Sequence, residues 1–198
     1  MNQFEQRRDV LKQYVTDMLG VDKHIHEAIR RQRDDKAMQQ HSDAHQLVAR
    51  MEETLDQQIS ELEQHIERLG GNASSTVKDA VSATLGAIAG MYDKVRSETA
   101  SKMLRDDYTA LNLAAISYTM LHTTALALQD QATADLALRH LRAWTPLITG
   151  INRVIPTVVT KELMEDSTVM VDSNIAPEAV RQTQQAWEST WVNQNVFA

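Results

Sequence analysis

Asp22 is the first residue whose type and place demand an explanation. It falls in the series Leu11, Tyr14, Met18, Asp22, Ile25, Ile29, so on a helix its carboxyl shares the apolar stripe. An unpaired carboxylate is costly to bury. Two readings stay open: a hydrogen-bonded or ion-paired structural acid, or a metal ligand. Asp107 stands in a comparable place beside Tyr108, with Asp106 next to it and Arg105 as an ion-pair partner; those charges would also suit a solvated helix start. Di-metal bundles draw carboxylates from four helices and usually a Glu-x-x-His pair from two of them, because that spacing sets both ligands on one face. The sequence has no Glu-x-x-His pair.

The histidines offer other donors. His24-x-His26-Glu27 and His41-x-x-x-His45 have nitrogen ligands, the second pair at the one-turn spacing that can hold zinc or copper. Both lie in polar stretches and read as solvated surface histidines, where a metal would bridge molecules. Glu61 and His65 read as a local contact one turn apart. His122, among Thr and Ala, reads as a hydrogen-bonded core histidine. No Gly-rich loop after a strand, nucleophile elbow or Ser/His/Asp arrangement supports nucleotide or acyl chemistry. With no cysteine, thiolate nucleophiles, disulfides and Cys-based metal sites are excluded, which fits a reducing cytoplasm.

The elements that must position these groups are helical. Gly (6) and Pro (3) are scarce and aromatics make up 5% of the 198 residues, which favours helices over turns and β-rich cores. Helix A is expected from Gln3 to Gln32. Asp34 or Asp35 can cap helix B, whose stripe Leu47, Val48, Met51, Leu55, Ile59, Leu62, Ile66, Leu69 ends at Gly70-Gly71, with glycine as the left-handed stop. After Asn72-Ala73-Ser74-Ser75, a shorter helix from Thr76 to Tyr92 gathers Ala80, Ala83, Gly86, Ala87 and Gly90 on one side, suited to a tight crossing. Helix C runs from Glu98 to Leu128, and Asp130 caps helix D, whose period continues to Pro156, with Pro146 and Gly150 expected to bend it. Residues 166–198 form a tail in which Asp172-Ser173-Asn174 opens a helix carrying Trp187 and Trp191, followed by Phe197. Such side chains imply docking, onto the parent bundle or onto a neighbouring subunit.

Charge and hydropathy exclude several classes. A net charge of −7 gives no electrostatic footprint for nucleic acid; the run Arg30-Arg31-Gln32-Arg33 instead complements the end of helix A. The N-terminal residues are too polar for the apolar part of a signal peptide. Tyr108 to Gln129 carries no charge, but Thr109, Asn112, Ser117, Thr119, His122, Thr123 and Thr124 interrupt it. A central helix buried on most sides by other helices explains that mixture better than a membrane span.

Two short-looped hairpins separated by a long connection give an all-α four-helix bundle over residues 1–165 with one long crossover, an up-down-up-down bundle of five helices being the alternative. Asp22-Lys23, Glu52-Glu53-Thr54-x-x-Gln57 and Asp106-Asp107-Tyr108-Thr109 resemble segments of the bacterial stress-associated ferritin-like proteins, a branch of the di-iron four-helix-bundle superfamily. The resemblance spans Val10 to Val159. It implies the ferritin-like bundle and candidate metal ligands Asp22, Glu53, Asp106 and Asp107, but Arg142-Ala143-Trp144-Thr145 stands where that family has helix D glutamates. The expected function is a non-catalytic, homo-oligomeric ferritin-like protein, stress-associated as the resemblance implies, in which Trp144 fills a degenerate metal site. The alternatives are a di-metal protein binding or oxidising iron or manganese, and a partner-binding adaptor using Trp187, Trp191 and Phe197.

Overall fold

The computed structural model describes residues 3–72, 99–166, 168 and 170–192. The short helix expected over 76–92, with its small-residue face, lies outside them, as do Phe197 and the side chain of Trp191. Six helices make up the described chain: α1 (Gln3–Arg33), α2 (Lys36–Gln39), α3 (Ser42–Arg68), α4 (Ala100–Ala127), α5 (Gln131–Glu165) and α6 (Ile175–Val192). There is no strand among the described residues, so the class is all-α.

Local chemistry sets most boundaries. Asp35, not Asp34, accepts the Ala37 N–H at 2.7 Å, which starts the single turn of α2 and divides the connection expected to lead directly into helix B. Gly70 ends the α3 region at φ +75°, a conformation costly for residues with a Cβ. Asp130 accepts from the Thr133 N–H at 2.8 Å and caps α5. α5 then runs through Pro146 and past Pro156 to Glu165, beyond the expected stop. Each proline removes one helical N–H and sets its ring against the carbonyl four residues back, yet the helix continues through both. Gly150 admits α3: a Cβ there would lie 2.9 Å from Leu47 Cδ1.

Side-chain pairs fix the directions of the four long helices. Lys23 pairs with Glu63 and Arg33 with Glu52, so α1 and α3 are antiparallel. Ser101 meets Glu162 and Tyr118 meets His140, giving the same sense for α4 and α5. Asp22 meets Tyr118 while Gln32 meets Asp107, so α1 and α4 are antiparallel; Gln58 and His65 against His140 and Thr133 make α3 and α5 antiparallel too. α3 and α4 consequently point the same way, and the end of α3 and the start of α4 lie at opposite ends of the bundle. These directions fit one long crossover and fit equally an up-down-up-down bundle of five helices, whose extra helix would lie outside the described residues. α1 and α5 each pack against both α3 and α4, around a core that includes Val15, Leu19, Ile25, Leu55, Leu111 and Trp144.

α6 packs on α5, and the Trp187 ring lies on Tyr108 of α4 with centroids 6.1 Å apart. The described part of the tail therefore docks on its own bundle. One face of α4 is uncovered among the described residues: Ile116, Met120 and Leu126 are 56%, 54% and 48% exposed. Helix C was expected to be buried on most sides, and is not. No helix among the described residues is long and apolar enough to cross a membrane.

Candidate functional site

Each of the four long helices sends one polar side chain into a single hydrogen-bonded array across the bundle. Asp22 of α1 and Tyr118 of α4 are both fully buried, with Oδ2 and the phenol oxygen 2.5 Å apart. The same phenol oxygen stands 2.9 Å from His140 Nδ1 on α5. His140 Nε2 is 3.2 Å from Glu61 Oε2 on α3. Glu61, at the rim, also accepts from Gln57 at 2.9 Å and from Arg139 at 3.2 Å. The array thus leads from a solvent-facing carboxylate to a buried carboxyl. Tyr118 and His140 also pack edge to face, centroids 5.1 Å apart.

The environments of the four groups decide where the protons sit. Burial raises the Asp22 pKa to about 7, a rise that the Tyr118 hydrogen bond only partly opposes. Burial pushes His140 down to about 4 against the pull of Glu61. Tyr118 is raised well above its ordinary value by burial and then by Asp22. For Glu61, burial works upward, but hydrogen bonds from Gln57, His140 and Arg139 together outweigh it and leave the pKa lowered.

One arrangement satisfies every link. A protonated Asp22 donates to the Tyr118 oxygen, the Tyr118 hydroxyl donates to His140 Nδ1, and His140 Nε2–H donates to ionised Glu61. When Asp22 is ionised, Tyr118 donates to it instead, His140 Nδ1–H donates to Tyr118, and Nε2 faces Glu61 without a proton unless one arrives from solvent. The array can therefore carry a proton between the rim and the centre by reversing its hydrogen bonds. Around it, Asp22 Oδ1, Gln58 Oε1 and Trp144 Nε1 are buried with no hydrogen-bond partner among the described residues.

The sequence-derived candidates are dispersed. Asp22 belongs to the array. Asp107, fully buried, accepts from Gln32 Nε2 at 2.9 Å, so the two buried aspartates join different networks. Asp106 pairs with Arg105 at 2.7 Å, and Glu53 is exposed. No group of three or more His, Asp or Glu side chains among the described residues is placed to hold a metal ion. His41 is 4% exposed rather than solvated, because it lies where α2 meets α3; His24, His26 and His45 are half-buried, with His26 2.9 Å from Asp56. Glu61 and His65 do not pair: Glu61 turns to His140, and His65 Nε2 lies 2.7 Å from Thr133 Oγ1. His122 is satisfied by the Ala134 carbonyl at 2.8 Å, as its surroundings suggested.

Sequence reasoning missed Tyr118 and His140 as polar partners. Tyr118 was counted only as part of the helix C stripe. His140 shares the α5 stripe with Ala137, Trp144 and Leu147, all buried, and that position was the available signal.

No known family model, curated protein or solved structure matches this chain. The residues and their geometry therefore carry the functional argument.

Proposed function

We propose that the chain is a ferritin-like bundle that works by assembling with copies of itself, its centre filled by the Asp22 array and the Trp144 indole instead of a metal pair. The helix directions support the ferritin-like reading: two antiparallel hairpins joined so that α3 and α4 run the same way are the arrangement of that fold with its single long crossover. Three features of the donors support a centre without a metal pair. Asp22 is committed to Tyr118 and lies in an environment that favours its neutral form. Glu53 faces solvent. On α5, at the stretch where the resemblance calls for glutamates, Trp144 is among the largest fully buried side chains, and carbon does not ligate iron.

The observation that carries assembly is the outer face of α4. Thr109, Asn112, Ile116, Thr119, Met120, Thr123 and Leu126 are all exposed at three- and four-residue spacings. Much of its polar bonding turns inward: the hydroxyls of Thr109, Thr119 and Thr123 donate to the carbonyls of Arg105, Ala115 and Thr119, and Asn112 donates one N–H to the Tyr108 carbonyl. Apart from the rest of the Asn112 amide, what remains outside is largely methyl, thioether and aliphatic surface with no charge. A two-fold interface sets the same patch against itself, and an uncharged strip does so without like-charge opposition.

Light scattering tests this. The unmodified chain is expected at a multiple of 22.3 kDa, and Ile116→Glu with Met120→Glu is expected to run as a monomer with its helical circular dichroism intact. A monomeric unmodified chain, or an unchanged mass in the double variant, would sink the proposal. Elemental analysis after purification with iron or manganese separates the di-metal reading: near-stoichiometric metal, lost in Asp22→Ala, would replace the present one.

A further inference from the structure

At the end of the bundle where α1 begins, α3 ends and α4 turns into α5, a cleft of about 410 Å³ opens, within the size range of small-molecule sites. Three arginines, Arg7, Arg8 and Arg68, line it together with the apolar residues Phe4, Leu11, Leu69 and Leu128. None of the three arginines makes an ion pair among the described residues. Asp130 also lines the cleft, but its Oδ1 accepts from the Thr133 N–H. In a chain of net charge −7, the cleft lining sets three arginines against one acid, Asp130, with Asp9 nearby, its carboxyl held low by Lys12 and, more weakly, by Arg8. Folding builds this cluster from two helices far apart in sequence, so the Arg30–Arg33 run gave no hint of it.

We propose that this cleft binds an organic phosphate, its phosphate groups held by Arg7, Arg8 and Arg68 and its less polar part resting on Leu69, Leu128 and Phe4. Guanidinium forks match phosphate oxygens two at a time, which explains arginine in all three positions. The apolar surface adds what a bare anion cannot use. Phe4 is 70% exposed, so a planar ring can stack on it. The Arg8 guanidinium lies against Gly70, where an added Cβ would approach its Nη2 to 3.2 Å.

Isothermal titration of the full chain with ATP and with pyrophosphate tests the site. ATP is expected to bind saturably at one site per chain, and more tightly than pyrophosphate, which has no group for the apolar surface. Arg8→Ala and Arg68→Ala are expected each to weaken ATP by about three- to tenfold, the range of charge-assisted bonds at a solvent-exposed site. Arg142→Ala, an exposed arginine on α5 away from the cleft, is expected to change nothing. Circular dichroism checks that the variants stay folded, which their exposed positions favour. Absence of saturable ATP binding would overturn the proposal, as would equal affinity for pyrophosphate. So would binding undiminished in an Arg8→Ala/Arg68→Ala protein, or an equal loss in Arg142→Ala.

Discussion

Replacing Asp22 by asparagine probes the array at its buried end, because the amide copies the shape of the protonated carboxyl but cannot ionise. The native Asp22 pKa is about 7 against an ordinary 3.8, and one unit corresponds to about 1.4 kcal/mol. The sign follows from proton counting. Below pH 3.8 the carboxyl is protonated in both the native and the unfolded chain, and it contributes no pH dependence. Between 3.8 and about 7 the native chain keeps a proton that the unfolded chain has released, so stability falls as pH rises. Above 7 the accumulated cost is constant, about 4 kcal/mol from the shift, reduced to about 2–4 kcal/mol if water reaches the ionised group.

His140 acts in the opposite sense. Its native pKa is about 4 against 6.5, so the stability it contributes is present above 6.5 and is lost as pH falls toward 4. Between pH 4 and 6.5 one native proton on Asp22 offsets one unfolded-state proton on histidine, and the unmodified chain should show little slope from this pair. His65 and Glu61, both lowered, act in the same sense as His140 but are present in both proteins, so they drop out of the comparison. Urea unfolding of the unmodified chain and Asp22→Asn at intervals from pH 4 to 8 reads the difference directly. The stability of the variant relative to the unmodified chain is expected to rise by about 2–4 kcal/mol across that range. A difference that stays flat within about 0.5 kcal/mol, or that falls with pH, would refute the assignment of a neutral buried Asp22.

Tyr118→Phe removes the hydroxyl that links Asp22 to His140 and leaves both without that partner, at an expected cost of about 2–4 kcal/mol; paired with Asp22→Asn, the loss should be clearly less than additive. Gly70→Ala forces a Cβ into φ +75° and is expected to cost about 1 kcal/mol in the same assay. Truncation after Asp172 removes α6, which docks on its own chain through Trp187 and Tyr108, so light scattering should give an unchanged number of subunits while the melting temperature drops by about 2–4 °C per kcal/mol lost. Fewer subunits would mean that the tail bridges them.

The helices were legible in the sequence because apolar spacing and caps are local. The stripe of α3, the Asp130 cap and the Gly70 stop all followed from residues within a turn or two of each other. What escaped was set by partners distant in the chain. His140 lies 79 positions from Glu61 and 22 from Tyr118, and no spacing rule links them. Asp22 stood out because a carboxyl in an apolar stripe conflicts with its surroundings, whereas Tyr118 raised no conflict, since its ring suits the core and its hydroxyl is a single group. The exposed side of α4 was misjudged for a related reason. A charge-free run looks buried in sequence, but threonines that bond to their own helix can leave such a run facing outward.

The array also bears on why this bundle adopts one arrangement. A core of Leu, Ile, Val and Ala tolerates sliding one helix past another by a turn, because apolar contacts are non-directional. The Asp22–Tyr118–His140–Glu61 array does not, since it takes one residue from each long helix and each link has a defined direction and length. Shifting α5 by one turn would move His140 by about 5.4 Å, away from both Tyr118 and Glu61, and would strand buried polar atoms at about 1–3 kcal/mol each. Shifting α1 would do the same to Asp22, and the Gln32–Asp107 bond at 2.9 Å would break with it. Burying a carboxyl costs net stability, yet that cost falls more heavily on every other register than on the native one. The polar groups at the centre therefore select the alignment of four helices, and through it the alignment of the residues that form the uncharged face of α4.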